Sequence, residues 1–267
     1  MTDRRDPIGV FDSGIGGLTV VKEILRELPN ENLIYLGDTA RVPYGTKSSK
    51  TVITYSQSNA GFLISKGIKL LVVACNTASA VALSSLRWDF EIPIIGVIEP
   101  GARKAVRTTK TGKVGVIGTP STIKSKAYKK AMESIAPEIK VYSKACPLFV
   151  PLAEEGWTEG DIAELTANKY LETFKESGID VLILGCTHYP LLKPMIQKVM
   201  GEDIILVDSA EETALEIKRV LEENAISNKN SSAPQREFYL TDVSETFISI
   251  AGRFLGRAIE KVEQIDL

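Results

Sequence analysis

Cys75 and Cys186 stand in matching surroundings: Leu71-Val-Val-Ala-Cys75-Asn-Thr77 is echoed, 111 residues on, by Leu182-Ile-Leu-Gly-Cys186-Thr-His188. Each cysteine closes an apolar run and precedes polar side chains. A lone buried cysteine is ordinarily a small apolar filler, whereas two at corresponding positions of a repeat point to paired chemistry. If the halves that carry them face each other, the thiols do too. Opposed thiols suit one task in particular. One removes a proton from one face of a carbon and the other supplies a proton to the opposite face, which inverts the centre. One must be thiolate while the other is thiol, and an ordinary thiol pKa of about 8.5 keeps both states within reach near neutrality when a neighbour helps.

Two neighbours suggest themselves. His188, the sole histidine, lies two residues beyond Cys186 and suits proton exchange with it. Asp12 ends the apolar run at 8–11 and could serve Cys75 in the same way; its plainer reading is a helix N-cap, which Ser13 would fill equally well. Cys146, before Pro147 and outside the repeat, reads as filler.

The elements that must position these groups show as short runs rich in Val and Ile at 8–11, 33–36, 70–74, 92–98, 114–117, 139–142, 181–184 and 204–207. Such runs are the pattern of strands buried on both faces. Between the first two, Leu18, Val21, Ile24, Leu25 and Leu28 recur at helical spacing until Pro29-Asn30. The pattern is βαβ, hence a parallel sheet. The echo extends beyond the cysteines: Gly9-Val-Phe-Asp-Ser13 matches Gly115-Val-Ile-Gly-Thr119, and Ile94-Ile-Gly-Val97 matches Ile204-Ile-Leu-Val207. The expectation is therefore two related α/β halves that change over near Glu99. The polar stretch at 227–234 reads as a surface loop, and 237–241 and 244–259 as a strand and a helix of the first half. This divides the chain into 1–98 with 208–267, and 99–207. In parallel sheets ligand groups gather at the carboxyl ends of strands, where Asp12, Ser13, Cys75, Asn76, Thr77, Thr119, Cys186, Thr187 and His188 all fall. Each such end is expected to begin a helix, whose free N–H groups favour anions and lower a thiol's pKa.

Composition limits the partners. The 267 residues carry 32 basic and 34 acidic side chains, a formal net charge of -2, with no long Lys/Arg run to track phosphates. Nucleic acid is not expected. No secretory signal precedes the first strand, and the longest apolar tract, around 70–83, is interrupted by Asn76, Thr77 and Ser79, so neither export nor a membrane span is expected and the location should be cytoplasmic. Three widely spaced cysteines do not make a disulfide framework.

Other chemistries fit less well. Gly14-x-Gly16-x-x-Thr19, with Asp38 after the second strand, imitates part of a dinucleotide fingerprint, but Asp12 would repel a pyrophosphate. Cys75, Cys146, Cys186 and His188 could be gathered round zinc, yet no C-x₂-C pair exists. A non-catalytic amino-acid-binding module suits two lobes but has no use for paired thiols.

Six motifs together closely resemble bacterial glutamate racemases, of the aspartate/glutamate racemase family: Phe11-Asp-Ser-Gly-Ile-Gly-Gly-Leu-Thr19, Tyr35-Leu-Gly-Asp-Thr39, Pro43-Tyr-Gly45, Val73-Ala-Cys-Asn-Thr-Ala78, Ala145-Cys-Pro147 and Leu184-Gly-Cys-Thr-His-Tyr-Pro190. The resemblance runs from about residue 8 to 220. It implies two pseudo-symmetric α/β domains with mostly parallel sheets, the substrate between them, and no pyridoxal phosphate, metal or nucleotide. By resemblance, Cys75 takes the proton from D-glutamate and Cys186 from L-glutamate, assisted by Asp12 and His188. Glu154 matches a carboxylate near the second thiol, although Glu155 adjoins it. Asp12, Ser13, Tyr44, Gly45, Asn76, Thr77, Thr119, Thr122, Thr187 and His188 match substrate-contacting positions, and the product feeds peptidoglycan synthesis. The partner is then a small amino acid, with a homodimer left open. A racemase for aspartate or another amino acid remains the nearest alternative, because paired thiols fix the reaction more firmly than the side-chain length.

Overall fold

The computed structural model describes residues 3–230, 233–259 and 261–267. One lobe begins with β1 (Ile8–Asp12), α1 (Leu18–Glu27), β2 (Leu33–Gly37) and α2 (Ser49–Ser65). It continues through β3 (Leu70–Val73), α3 (Asn76–Val81), α4 (Leu83–Asp89) and β4 (Ile94–Gly96). Helix α5 (Ile98–Thr108) crosses to the other lobe, which opens with β5 (Lys113–Gly118), α6 (Pro120–Ser125), α7 (Ala127–Ile135) and β6 (Lys140–Ala145). There follow α8 (Phe149–Glu155), α9 (Asp161–Lys175), β7 (Val181–Gly185), α10 (Lys193–Met200) and β8 (Ile205–Asp208). The chain returns through α11 (Ser209–Glu223) to β9 (Arg236–Leu240), α12 (Glu245–Leu255) and β10 (Glu263–Gln264).

Both sheets are parallel throughout, in the orders β10-β9-β2-β1-β3-β4 and β6-β5-β7-β8. The second order repeats β2-β1-β3-β4 of the first, strand for strand. Register carries the repeat down to residues: Gly9 pairs with Leu71 in one sheet as Gly115 pairs with Leu182 in the other. Since β1, β3, β5 and β7 are central strands, their side chains are buried on both faces, which accounts for their unbroken apolar runs. The C-terminal piece joins the first sheet, with β9 on β2 and β10 on β9. One apolar core, containing Leu18, Ile24, Leu70, Ala214 and Phe254 from the first lobe with Leu184, Leu192 and Ile196 from the second, runs between the lobes. Among the described residues no helix is long and apolar enough to cross a membrane.

Three details depart from the sequence reading. The run at 92–98 is not one element: only Ile94–Gly96 is strand and Ile98 opens α5, because a buried strand and the buried start of a helix look alike in an apolar run. The third echo is out by two residues, since Ile94 and Leu206, not Ile204, occupy equivalent positions beside Leu71 and Leu182. A slip of two preserves which face each side chain takes, so the hydrophobic pattern alone cannot detect it. The last helix ends at Leu255 rather than 259, where Gly256 takes the left-handed conformation (φ 77°) that closes helices. Of the stretch expected as a loop at 227–234, residues 231 and 232 lie outside the described residues, as does the N-terminal pair 1–2; the rest forms neither helix nor strand.

Candidate active site

A cavity of about 320 Å³ lies between the lobes at the carboxyl ends of the strands. Both Cys75 and Cys186 line it, each buried and free of disulfide. Cys75 follows β3 and precedes α3; Cys186 follows β7 in the equivalent place. Ser13, Tyr44, Gly45, Asn76, Thr77, Glu154, Thr119, Thr187 and His188 line the same cavity. Two expected site residues do not: Asp12 and Thr122 are fully buried behind the wall. Cys146 is buried elsewhere in the core, its carbonyl accepting from the Tyr189 hydroxyl at 2.8 Å.

At the Cys75 end, the thiol lies 3.6 Å from Ser13 Oγ. Asp12 accepts from the Gly14 backbone N–H at 3.0 Å through Oδ2, while Oδ1 is buried without a hydrogen-bond partner. Burial pushes the Asp12 carboxyl above the usual range, opposed by the nearby His188 and backbone donors. The expectation that a helix start lowers the thiol's pKa fails here. Burial pushes Cys75 up to about 12 and the Asp12 charge adds to it, and these outweigh donation from the Ala78 N–H and Ser13. Desolvation wins because α3 is only six residues long and the thiol is screened from water.

At the Cys186 end the helper is a cation. His188 Nδ1 lies 3.8 Å from Cys186 Sγ, and Nε2 lies 3.0 Å from Glu154 Oε1. Burial opposes charging of the ring, but the contacts with Cys186 and Glu154 overcome it and lift the pKa to about 10. Of the adjacent carboxylates in α8, it is therefore Glu154 that reaches the histidine. This chain of three polar groups comes from a loop after β7 and from α8, segments far apart in sequence that fold together.

The remaining polar residues bridge the lobes. Thr77 from the first lobe lies 2.9 Å from Thr119 and 3.4 Å from Thr122 of the second, and Thr119 caps α6 by accepting from the Thr122 N–H. Asn76 donates through Nδ2 to the Tyr128 hydroxyl at 2.8 Å, leaving its buried Oδ1 without a partner. Tyr44 lines the cavity, but its hydroxyl is engaged by Asp38 and Asn59. The same network explains Asp38: Arg41, Tyr44 and Thr241 all bond its buried carboxylate, which removes it as a ribose ligand. Ile15, Val42, Pro43, Pro147, Val150 and Pro151 complete an apolar wall, of which only Ile15, Pro43 and Pro147 stand in the sequence motifs.

The arrangement can hold a small zwitterion among neutral donors, with a thiol beside each end. Residues 8–217 match the family model described as Asp/Glu/Hydantoin racemase. A glutamate racemase of Geobacter metallireducens is 55% identical over 260 residues, 97% of this chain and 96% of that one. Among solved structures, a glutamate racemase isoform from Bacillus anthracis superposes with a TM-score of 0.95 at 44% identity, over 99% of this chain and 98% of that one. The Francisella tularensis glutamate racemase, solved in complex with D-glutamate, superposes with a TM-score of 0.93 at 42% identity, over 98% of both chains.

Proposed function

The chain belongs to the Asp/Glu/hydantoin racemase family and is an isomerase, and from that premise we propose that it interconverts L- and D-glutamate with Cys75 and Cys186 as the two acid–base groups. The observation that supports this most is the pair of buried thiols at equivalent strand ends on one cavity. With L-glutamate, the Cys186 thiolate takes the Cα proton, and the Cys75 thiol gives its proton to the opposite face of the carbanion. The product is D-glutamate, and the enzyme is left with Cys186 protonated and Cys75 ionised. The reverse reaction runs from that state, so each turnover swaps the two protonation states.

The helpers differ. His188, held by Glu154, lies with Nδ1 3.8 Å from Cys186 Sγ, in place to exchange a proton with it. Asp12, whose charge disfavours a thiolate on Cys75, assists it only as a proton acceptor. Hydroxyls and backbone N–H groups around Ser13, Thr77, Thr119 and Thr187 suit the two carboxylates, and the orphaned Asn76 Oδ1 suits the ammonium. Glutamate rather than aspartate follows from the relatives' names and from the D-glutamate complex of the Francisella protein. Supply of D-glutamate for peptidoglycan in the cytoplasm, and the division into 1–98 with 208–267 and 99–207, belong to the same reading.

Circular dichroism of each enantiomer over time, with dialysed protein and no added cofactor, tests it. Glutamate should lose its signal from either side and aspartate should hold it. Equal or faster turnover of aspartate would overturn the substrate and leave the chemistry standing.

A further inference from the structure

The glycine-rich turn at 14–17 is conspicuous in the sequence, and the proton transfers make no direct use of it. Its backbone is pressed against the other lobe. A Cβ on Gly16 would lie 2.5 Å from His188 Nδ1 and closer still to Thr187 Oγ1, so no side chain fits there unless the catalytic turn moves. Nearby in α1, the buried Thr19 hydroxyl lies 2.9 Å from the Gly16 carbonyl and 3.1 Å from the Thr187 carbonyl, a donor shared across the lobes. Helix α12 closes another side: the Phe254 ring meets His188 edge-on at 5.3 Å, and Arg253 donates to the Glu154 carbonyl at 3.5 Å. His188 thus follows a strand of the second sheet but is packed against two segments of the first lobe, the turn at 14–17 and α12.

We propose that Gly16 and Thr19 are positioning residues: the turn between β1 and α1 is a socket that seats residues 186–188 and keeps His188 Nδ1 on Cys186 Sγ. The turn that imitates a phosphate cradle is, on this view, a bearing surface between lobes. Its glycine admits a backbone turn from the other lobe where a dinucleotide fold would admit a pyrophosphate. The catalytic consequence rests on the two-thiol reading; the seating of His188 does not.

The single histidine makes the test direct, because its ring resonances in NMR have one possible source. The titratable and charged groups facing that ring are Cys186 and Glu154 in contact, Asp12 from β1, and Arg253 beyond Glu154. In the wild type the ring should titrate near 10. In Gly16→Ala and Thr19→Val, a ring moved off Cys186 should titrate closer to the ordinary imidazole value, while Thr19→Ser should keep the wild-type behaviour. For displacements of this kind, kcat should fall about a hundredfold in Gly16→Ala and about tenfold in Thr19→Val. Far-UV circular dichroism checks folding, and if Gly16→Ala does not fold the Thr19 pair decides. A ring that titrates as in the wild type in Thr19→Val would overturn the socket, whatever the activity. So would a shifted titration with kcat within about twofold of wild type, taken as no real loss on this scale. Failure of the wild type to racemise glutamate would sink the substrate reading instead, and the titrations would still judge the socket.

Discussion

The Cys75 end and the Cys186 end occupy equivalent places on equivalent sheets, yet their helpers do not correspond. By register, the position of Asp12 in the first sheet is taken by Gly118 in the second, and the position of His188 is taken by Thr77. One thiol faces a buried carboxylate and the other a histidine lifted to about 10. The lesson is that the repeated backbone supplies equivalent positions, while unequal side chains supply unlike helpers, a carboxylate at one end and a histidine at the other. A pair of sites that must hold opposite protonation states at any moment has no need of identical surroundings.

The harshest way to break the comparison is to remove either thiol. Cys75→Ala and Cys186→Ala should each cost several orders of magnitude in racemisation, on the order of 10³ or more, because each leaves one face of the carbon without an acid or base. Steady-state polarimetry would show it, and a mild loss in either would mean that the ends are not equivalent in function.

A smaller effect sharpens the difference between the ends. The ordinary imidazole pKa is 6.5 and folding lifts His188 to about 10, so its contribution to stability is complete below pH 6.5 and is lost as the pH rises through 10. Cys75, raised from 9 to about 12, loses its contribution over a higher window. Urea midpoints of the wild type should therefore fall between pH 6.5 and 10 relative to His188→Asn, whereas the decline above pH 10 should be common to both. Parallel curves across the lower window would contradict the assignment.

The smallest effect is expected away from both ends. Cys146→Ala should stay within about tenfold of wild type, about 1.4 kcal/mol in barrier, since its thiol lies outside the cavity. A loss comparable to those of the other two cysteines would mean that burial alone, not position, sets the outcome.

Much of this was legible in the sequence. The strand runs, the parallel topology and the Cys75–Cys186 echo follow from apolar patterning that a doubly covered sheet demands. What stayed hidden depends on packing between distant segments. The reach of Glu154 rather than Glu155 is fixed by how α8 docks on the loop after β7. The rise in the pKa of Cys75 is fixed by burial that no spacing reveals. Tyr44 lines the cavity, but the placement of its hydroxyl depends on Asp38 and Asn59, partners 6 and 15 residues away.

The central claim, one thiol for each face, is tested most directly by exchange of the α-proton in D₂O, followed by mass spectrometry. Cys75→Ser should still exchange the α-proton of L-glutamate through Cys186, and Cys186→Ser that of D-glutamate through Cys75, each without inversion. The rates will be low where a lone thiol returns the proton it has just taken, so the contrast between enantiomers is the readout. Deuterium entering the opposite enantiomer in each variant would reverse the assignment of faces. Racemisation near the wild-type rate in either variant would contradict the two-thiol mechanism itself.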